Sequence, residues 1–213
     1  MNEDANRSLI IGCSGTGKSW DVKIALKKWK RAIVFDPEDE YECLTGFVKC
    51  VTIQSVLEVM RKNWKGNFKI AFVPQSGNEE KQLHELSLLI VHAQEPYKKG
   101  LLKKKLLLVV EEIDQSFPNQ KLKKENWGFS HICSRGRKRG IEVIGVAQRL
   151  AEVNTRLRGN ATGGMKFFMP ADDVDLQTMC KFVGRKNSDK LQSLQIGEYC
   201  HFKAGKVTWG KNK

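Results

Sequence analysis

No two cysteines in this chain form a C-x-x-C pair. Cys13, Cys43, Cys50, Cys133, Cys180 and Cys200 are scattered singly. That excludes a zinc ribbon or a dithiol redox motif and reads as six reduced thiols. The four histidines show no zinc-type spacing with them; in His131-x-Cys133 the histidine is expected on a helix surface and the cysteine in the core. Long apolar runs are missing too. The longest uncharged one, Leu106 to Val110, falls far below the roughly 20 residues that cross a bilayer. Nothing near the first residue resembles a secretion signal, which fits a cytoplasmic protein. There is no internal repeat and no Pro/Gly/Ser-rich linker, so one domain with a real core is expected over residues 1–213. Acid is scarce relative to base: 24 Asp and Glu against 37 Lys and Arg, for a net charge of +13. The excess concentrates between Lys98 and Arg139, where twelve basic residues meet four acids, Glu111, Glu112, Asp114 and Glu125. A solubilising surface explains some of it, but the pattern suggests a polyanionic partner, nucleic acid before a membrane surface.

What the chain does have is a complete phosphate loop. Gly12-Cys13-Ser14-Gly15-Thr16-Gly17-Lys18-Ser19 reads G-x-x-x-x-G-K-S and directly follows the apolar run Leu9-Ile10-Ile11. The glycines let the backbone fold around a triphosphate with its N–H groups pointing inward. Lys18 can reach the β- and γ-phosphates, and the Ser19 hydroxyl can ligate Mg²⁺. A helix starting near Lys18 adds the favourable field of its N-terminus. The chain is therefore expected to bind a nucleoside triphosphate, ATP, with Mg²⁺.

Strand-like runs alternate with amphipathic stretches, as in a parallel sheet covered by helices. Strands are expected near residues 8–11, 32–35, 49–53, 69–73, 106–110, 141–147 and 165–169. Helices are expected over 18–30, 55–64, 79–92, 125–137 and 173–182, then a short helix at 188–194 and a hairpin of 198–202 with 206–209. Two segments read as true loops, 114–124 and 150–164; both follow strand C-terminal ends, where open α/β sheets place their ligands.

The run Leu106-Leu107-Leu108-Val109-Val110-Glu111-Glu112 has the form of a buried Walker B strand ending in two carboxylates. Successive side chains at a strand end project in different directions. Glu111 can therefore orient Mg²⁺ while Glu112 polarises the attacking water. A glutamate stands at position 111 where an aspartate is usual. The strand at 141–147 ends at Gln148, whose amide can bond both a γ-phosphate oxygen and the lytic water. Before it lies Arg135-Gly136-Arg137-Lys138-Arg139, a cluster that offers either nucleic-acid contacts or an arginine finger for a neighbour's site.

These pieces, in this order, resemble the HerA/FtsK superfamily of ring-forming DNA-pumping ATPases. The matching segments are the phosphate loop, Val34-Phe35-Asp36-Pro37-Glu38-Asp39-Glu40-Tyr41, Val109 to Asp114, Arg137-Lys138-Arg139-Gly140-Ile141-Glu142 leading to Ala147-Gln148-Arg149, Arg158-Gly159-Asn160, and Leu194-Gln195-Ile196-Gly197-Glu198-Tyr199. The resemblance implies an α/β P-loop NTPase of the ASCE/RecA-like kind. Its fold would be a three-layer sandwich with a mostly parallel central sheet, an extra strand between the phosphate-loop and Walker B strands, and a small C-terminal hairpin. It implies a homo-oligomeric ring, hexamer or pentamer, with ATP at subunit interfaces. Glu112 is then the catalytic glutamate, Gln148 the sensor, and Arg137, with Arg139 second, the finger. As a bare motor core without barrel, membrane span or DNA-reading domain, the chain is most similar to the genome-packaging ATPases of tailless, membrane-containing double-stranded DNA viruses. The resemblance implies a place in the host cytoplasm and, if the chain is viral, at the packaging vertex of the virion, with double-stranded DNA and capsid vertex proteins as expected partners.

The loop after the acids carries Lys121, Lys123 and Lys124, expected to grip DNA phosphates without reading bases. A small-molecule kinase holding a substrate hydroxyl on the acidic motif Phe35-Asp36-Pro37-Glu38-Asp39, a nucleotide-gated binding protein without turnover, and another DNA pump for conjugation or phage assembly remain open on these residues alone.

Overall fold

A computed structural model describes residues 4–121, 123 and 127–212. In chain order it runs β1 (Arg7–Ile11), α1 (Lys18–Lys27), β2 (Arg31–Phe35), β3 (Phe47–Cys50), α2 (Ile53–Lys62), β4 (Phe68–Phe72), α3 (Glu79–Ala93) and a one-turn α4 (Glu95–Lys98). Then come β5 (Leu106–Val110), the short α5 (Ile113–Ser116), α6 (Gly128–Arg135), β6 (Ile141–Ala147), α7 (Thr155–Gly159) and β7 (Gly164–Phe167). The chain closes with α8 (Asp173–Val183), α9 (Ser188–Gln192), β8 (Glu198–Lys203) and β9 (Lys206–Lys211).

The strands form one nine-stranded sheet in the order β3-β4-β2-β5-β6-β1-β7-β8-β9. Every pairing from β3 to β7 is parallel, and only the terminal hairpin is antiparallel. β6 is the strand inserted between the phosphate-loop strand β1 and the acid-bearing strand β5, as the resemblance implied. β2 and β5 are buried along their whole length on both faces, which is why Ala32 to Phe35 and Leu106 to Val110 read as unbroken apolar runs. Leu9, Ile33, Phe35, Leu106, Leu108 and Val110 pack on the side of α2, α3 and α6. Ile10, Ala32, Val34, Leu107 and Val109 face the other way, against Val22 and Leu26 of α1. Each large apolar side chain so enclosed stabilises the fold by about 1.5–3 kcal/mol.

Several boundaries differ from the sequence expectation, each for a local reason. The strand expected at 49–53 is Phe47–Cys50. Thr52 accepts from the Ser55 N–H at 3.1 Å in a capping box, so the β-branched pair Thr52-Ile53 opens α2 and does not extend the strand. α1 stops at Lys27, where the Lys28 and Trp29 N–H groups turn back to Ala25 and Leu26. The helix expected over 125–137 is Gly128–Arg135 in its described part; the Gly136–Arg139 segment winds into a tighter 3₁₀ turn, and Glu125 lies outside the described residues. The segment 150–164 is not all loop: Asn154 accepts from the Arg156 N–H at 3.0 Å and starts α7. Likewise α5 begins directly after the two acids in the segment expected as the loop 114–124. His131 packs edge-on against Trp127, and Cys133 on the same helix is buried in the core.

Candidate functional site

The phosphate loop joins β1 to α1 and is tied at both sides to neighbouring strand ends. The Gly12 N–H donates to the Ala147 carbonyl at the end of β6 at 3.3 Å, and the Cys13 N–H to the Met169 carbonyl beyond β7 at 2.9 Å. No side chain fits at residue 12: a Cβ there would stand 2.6 Å from Phe168 Cβ. Gly17, at φ 105°, occupies the left-handed region that lets the loop enter α1. Ser14 and Gly15 form the tip of the turn, and Ser19 lies in the first turn of α1. Thr16 Oγ1 and Lys18 Nζ both donate to the Cys13 carbonyl, at 2.8 and 2.9 Å. Lys18 is nearly enclosed, and burial lowers its pKa, opposed first by the charge of Glu112.

Glu111 and Glu112 continue β5 but adopt different surroundings. Glu111 is buried and accepts a short hydrogen bond from the Tyr41 hydroxyl. Burial pushes its pKa up to about 7 against the lowering effect of that bond. Glu112 sits at φ 43°, ψ 50°, a left-handed conformation that costs a non-glycine residue about 1–2 kcal/mol. Strain of this kind is held only where surrounding structure fixes it, and functional sites collect it. Its two carboxylate oxygens accept from Gln148 Nε2, at 3.3 and 3.4 Å. Thus the ends of three adjacent strands, β5, β6 and β1, bring together Glu112, Gln148 and the phosphate loop with Lys18.

Two residues that the sequence did not single out complete the surroundings. Asp114, the second residue of α5, has its pKa pushed up to about 6, chiefly by burial, and its Oδ1 has no hydrogen-bond partner among the described residues. Tyr41, carried in the sequence only as the end of an acidic segment, holds Glu111. Its loop is fixed by Asp36, whose carboxylate accepts from the Glu40 and Tyr41 N–H groups at 3.0 and 2.9 Å. Tyr41 could have been suspected only from its place in that segment, since its partner lies seventy positions away.

The arginines fall elsewhere. β6 runs parallel to β1 with Ala147 beside Ile11, so Arg137, ahead of the first residue of β6, lies at the opposite end of the strands from the phosphate loop. At about 3.3 Å per strand residue this separation exceeds about 20 Å. Arg137 is half exposed and pairs with Asp4, Nε to Oδ2 at 2.7 Å. Arg139 is closed in, its side chain only 12% exposed, against Glu95 at 3.1 Å. Lys121 and Lys123 are exposed and, with Asn119, Trp127 and Arg156, line a cavity of about 540 Å³ beyond β5. Lys124 lies outside the described residues.

The three-layer sandwich, with a strand inserted between the phosphate-loop strand and the acid-bearing strand, is the fold of P-loop ATPases. Among solved structures, that of the genome packaging NTPase B204 from Sulfolobus turreted icosahedral virus 2, in complex with ATP-gammaS, is similar over 98% of both chains, with a TM-score of 0.74 at 14% identity. B204 of Sulfolobus Turreted Icosahedral Virus, described as a DNA-packaging ATPase, is similar over 100% of both, with a TM-score of 0.70 at 18% identity. VirB4 of Thermoanaerobacter pseudethanolicus has a TM-score of 0.64 at 13% identity, over 97% of this chain and 89% of that one. The resemblance to HerA/FtsK-type ATPases is thus met at the level of the fold. No protein-family model matches the chain, and no curated protein matches it in sequence. Among the described residues, no helix is long and apolar enough to cross a membrane.

Proposed function

We propose that this chain hydrolyses ATP at the interfaces of a homo-oligomeric ring and uses the energy to move double-stranded DNA, as the packaging motor of a viral genome. The observation that carries the proposal is the meeting of Lys18, Glu112 and Gln148 at the ends of three adjacent strands, with Glu112 and Gln148 already hydrogen-bonded. In this arrangement the loop amides and Lys18 bind the triphosphate. Glu112 takes a proton from water as the water attacks the γ-phosphorus, and the bond to the β-phosphate oxygen breaks, leaving ADP and phosphate. Gln148 can exchange its bond to Glu112 for one to the γ-phosphate, so its position reports whether that phosphate is present.

Ser19 and Glu111 are hard oxygen donors suited to Mg²⁺, and the tyrosine bond leaves Glu111 with a second oxygen to offer. When bound, the ion would neutralise phosphate charge. Arg137, remote from its own loop and half exposed, is the better of the two finger candidates and would act on a neighbour's nucleotide. Arg139 is held by Glu95. Lys121 and Lys123 would contact DNA phosphates, and the net charge of +13 suits that partner. Both B204 structures come from viral genome-packaging proteins, which supports packaging over conjugation or phage assembly. Of the acidic motif that the kinase alternative would use, the Asp36 carboxylate is engaged with backbone N–H groups of its own loop and Asp39 pairs with Lys49, which counts against that reading.

The test is ATP turnover by the purified protein with and without double-stranded DNA, alongside mass measurement in each state. DNA-stimulated turnover by a ring-sized species is expected. Phosphorylation of a small metabolite with no response to DNA would contradict it.

A further inference from the structure

The site also has a direction. Glu112 and Gln148, which face the terminal phosphate in the function proposed above, project from β5 and β6 on one side of β1. A triphosphate lying along the loop must therefore release its nucleoside end on the other side, toward β7, β8 and β9. On that side the chain between α9 and β8 is fastened onto the phosphate loop. The Gly197 N–H donates to the Thr16 carbonyl at 2.9 Å, and a Cβ on Gly17 would lie only 3.4 Å from Gly197 Cα. Asn212, just after β9, clamps the same place: its N–H donates to the Gly197 carbonyl at 2.8 Å and its Nδ2 to the Gly17 carbonyl at 3.4 Å.

This strap holds an apolar side chain in the open. Ile196 is 70% exposed between the buried Leu194 and the tethered Gly197. On the helix side of the loop, Trp20 in the first turn of α1 is 52% exposed, with the Lys27 ammonium over its ring at 6.0 Å. In the hairpin that follows, the large residues are covered: Tyr199 packs on Phe168, and Trp209 lies under Lys190. Ile196 precedes Gly197 and Trp20 lies three residues past Gly17, so both flank the place where the strap meets the phosphate loop.

We propose that Ile196 and Trp20 form the platform for the base of the bound nucleotide, and that the strap of Gly197 and Asn212 fixes this platform to the phosphate loop. The inference rests on the phosphate loop binding a triphosphate. Because the platform is apolar and meets ring faces, not hydrogen-bonding edges, it discriminates weakly between purines.

Equilibrium binding of ATP, GTP and inorganic tripolyphosphate to the full-length protein, with Mg²⁺, separates base from phosphate recognition. ATP and GTP should bind with similar affinity, and both more tightly than tripolyphosphate. Ile196→Ser should weaken ATP by about tenfold, the effect of uncovering one aliphatic contact, and leave tripolyphosphate unchanged. Ile196→Leu should restore ATP binding, and Trp20→Ala should share the signature of Ile196→Ser. Unchanged ATP binding in Ile196→Ser, or an equal loss of ATP and tripolyphosphate, would overturn the platform. Failure of the unaltered protein to bind either ligand would overturn the phosphate-loop assignment itself, and the platform with it.

Discussion

Asp114→Asn tests the electrostatics of the site independently of any ligand. The Asp114 carboxyl titrates near pH 6 in the folded protein, mainly because burial disfavours its charge, against an ordinary value of 3.8. Lys18 partly offsets this, and the Glu112 charge adds to it. Because the folded state holds this proton more tightly than the unfolded chain, the stabilisation is full below pH 3.8 and is lost as pH rises through about 6. The shift corresponds to about 3 kcal/mol, reduced to about 2 kcal/mol for the carboxyl's partial contact with solvent. Asparagine has the same shape and no charge at any pH. In urea denaturation without nucleotide, Asp114→Asn should exceed the wild type by about 2 kcal/mol at pH 8 and show little advantage at pH 4. Glu111, raised to about 7, gives a pH dependence of the same sign, but it is common to both proteins and cancels in the difference. A stability difference that stays constant from pH 4 to pH 8 would refute the assignment of a buried, weakly partnered carboxylate beside Lys18.

Other consequences are measurable on the assembled protein. Arg137→Ala and Lys18→Ala should each abolish hydrolysis, yet mixing the two should recover activity, since an interface can then combine an intact Lys18 with an intact neighbouring Arg137; no recovery would argue that Arg137 does not act in trans. Arg139→Ala should reduce stability through the lost Glu95 pair more than it reduces turnover per folded subunit. Lys121→Ala and Lys123→Ala should each lower the slope of log affinity for double-stranded DNA against log salt by about one, without changing sequence preference. A slope unaltered by the double substitution would remove this loop from the DNA contact.

What could be read from the sequence is what depends on local pattern. The phosphate loop declares itself because each of its residues serves a backbone or charge requirement within eight positions. β2 and β5 declare themselves because burial on both faces leaves continuous apolar runs, and β1 and β6 because each ends in one, Leu9 to Ile11 and Val143 to Ala147. β3 was displaced because Val51-Thr52-Ile53 has strand-like composition while Thr52 and Ser55 form a helix cap, and a cap outranks propensity at a boundary. α7 was hidden in a polar stretch whose only helix signal is the Asn154 cap. The environments of the acids were not legible at all. The Tyr41 bond to Glu111 and the Gln148 bond to Glu112 join residues far apart in the chain, and the left-handed turn at Glu112 has no glycine to announce it. The remoteness of Arg137 from its own loop likewise follows only from the parallel register of β1 and β6.

The most direct test of the central claim is single-turnover hydrolysis by Glu112→Gln, with bound nucleotide measured on the same sample. Glutamine retains the size and hydrogen-bonding shape of the side chain but cannot accept the proton from water. ATP should remain bound and uncleaved, with the rate down by about 10²- to 10⁴-fold. Turnover at the wild-type rate would contradict the account.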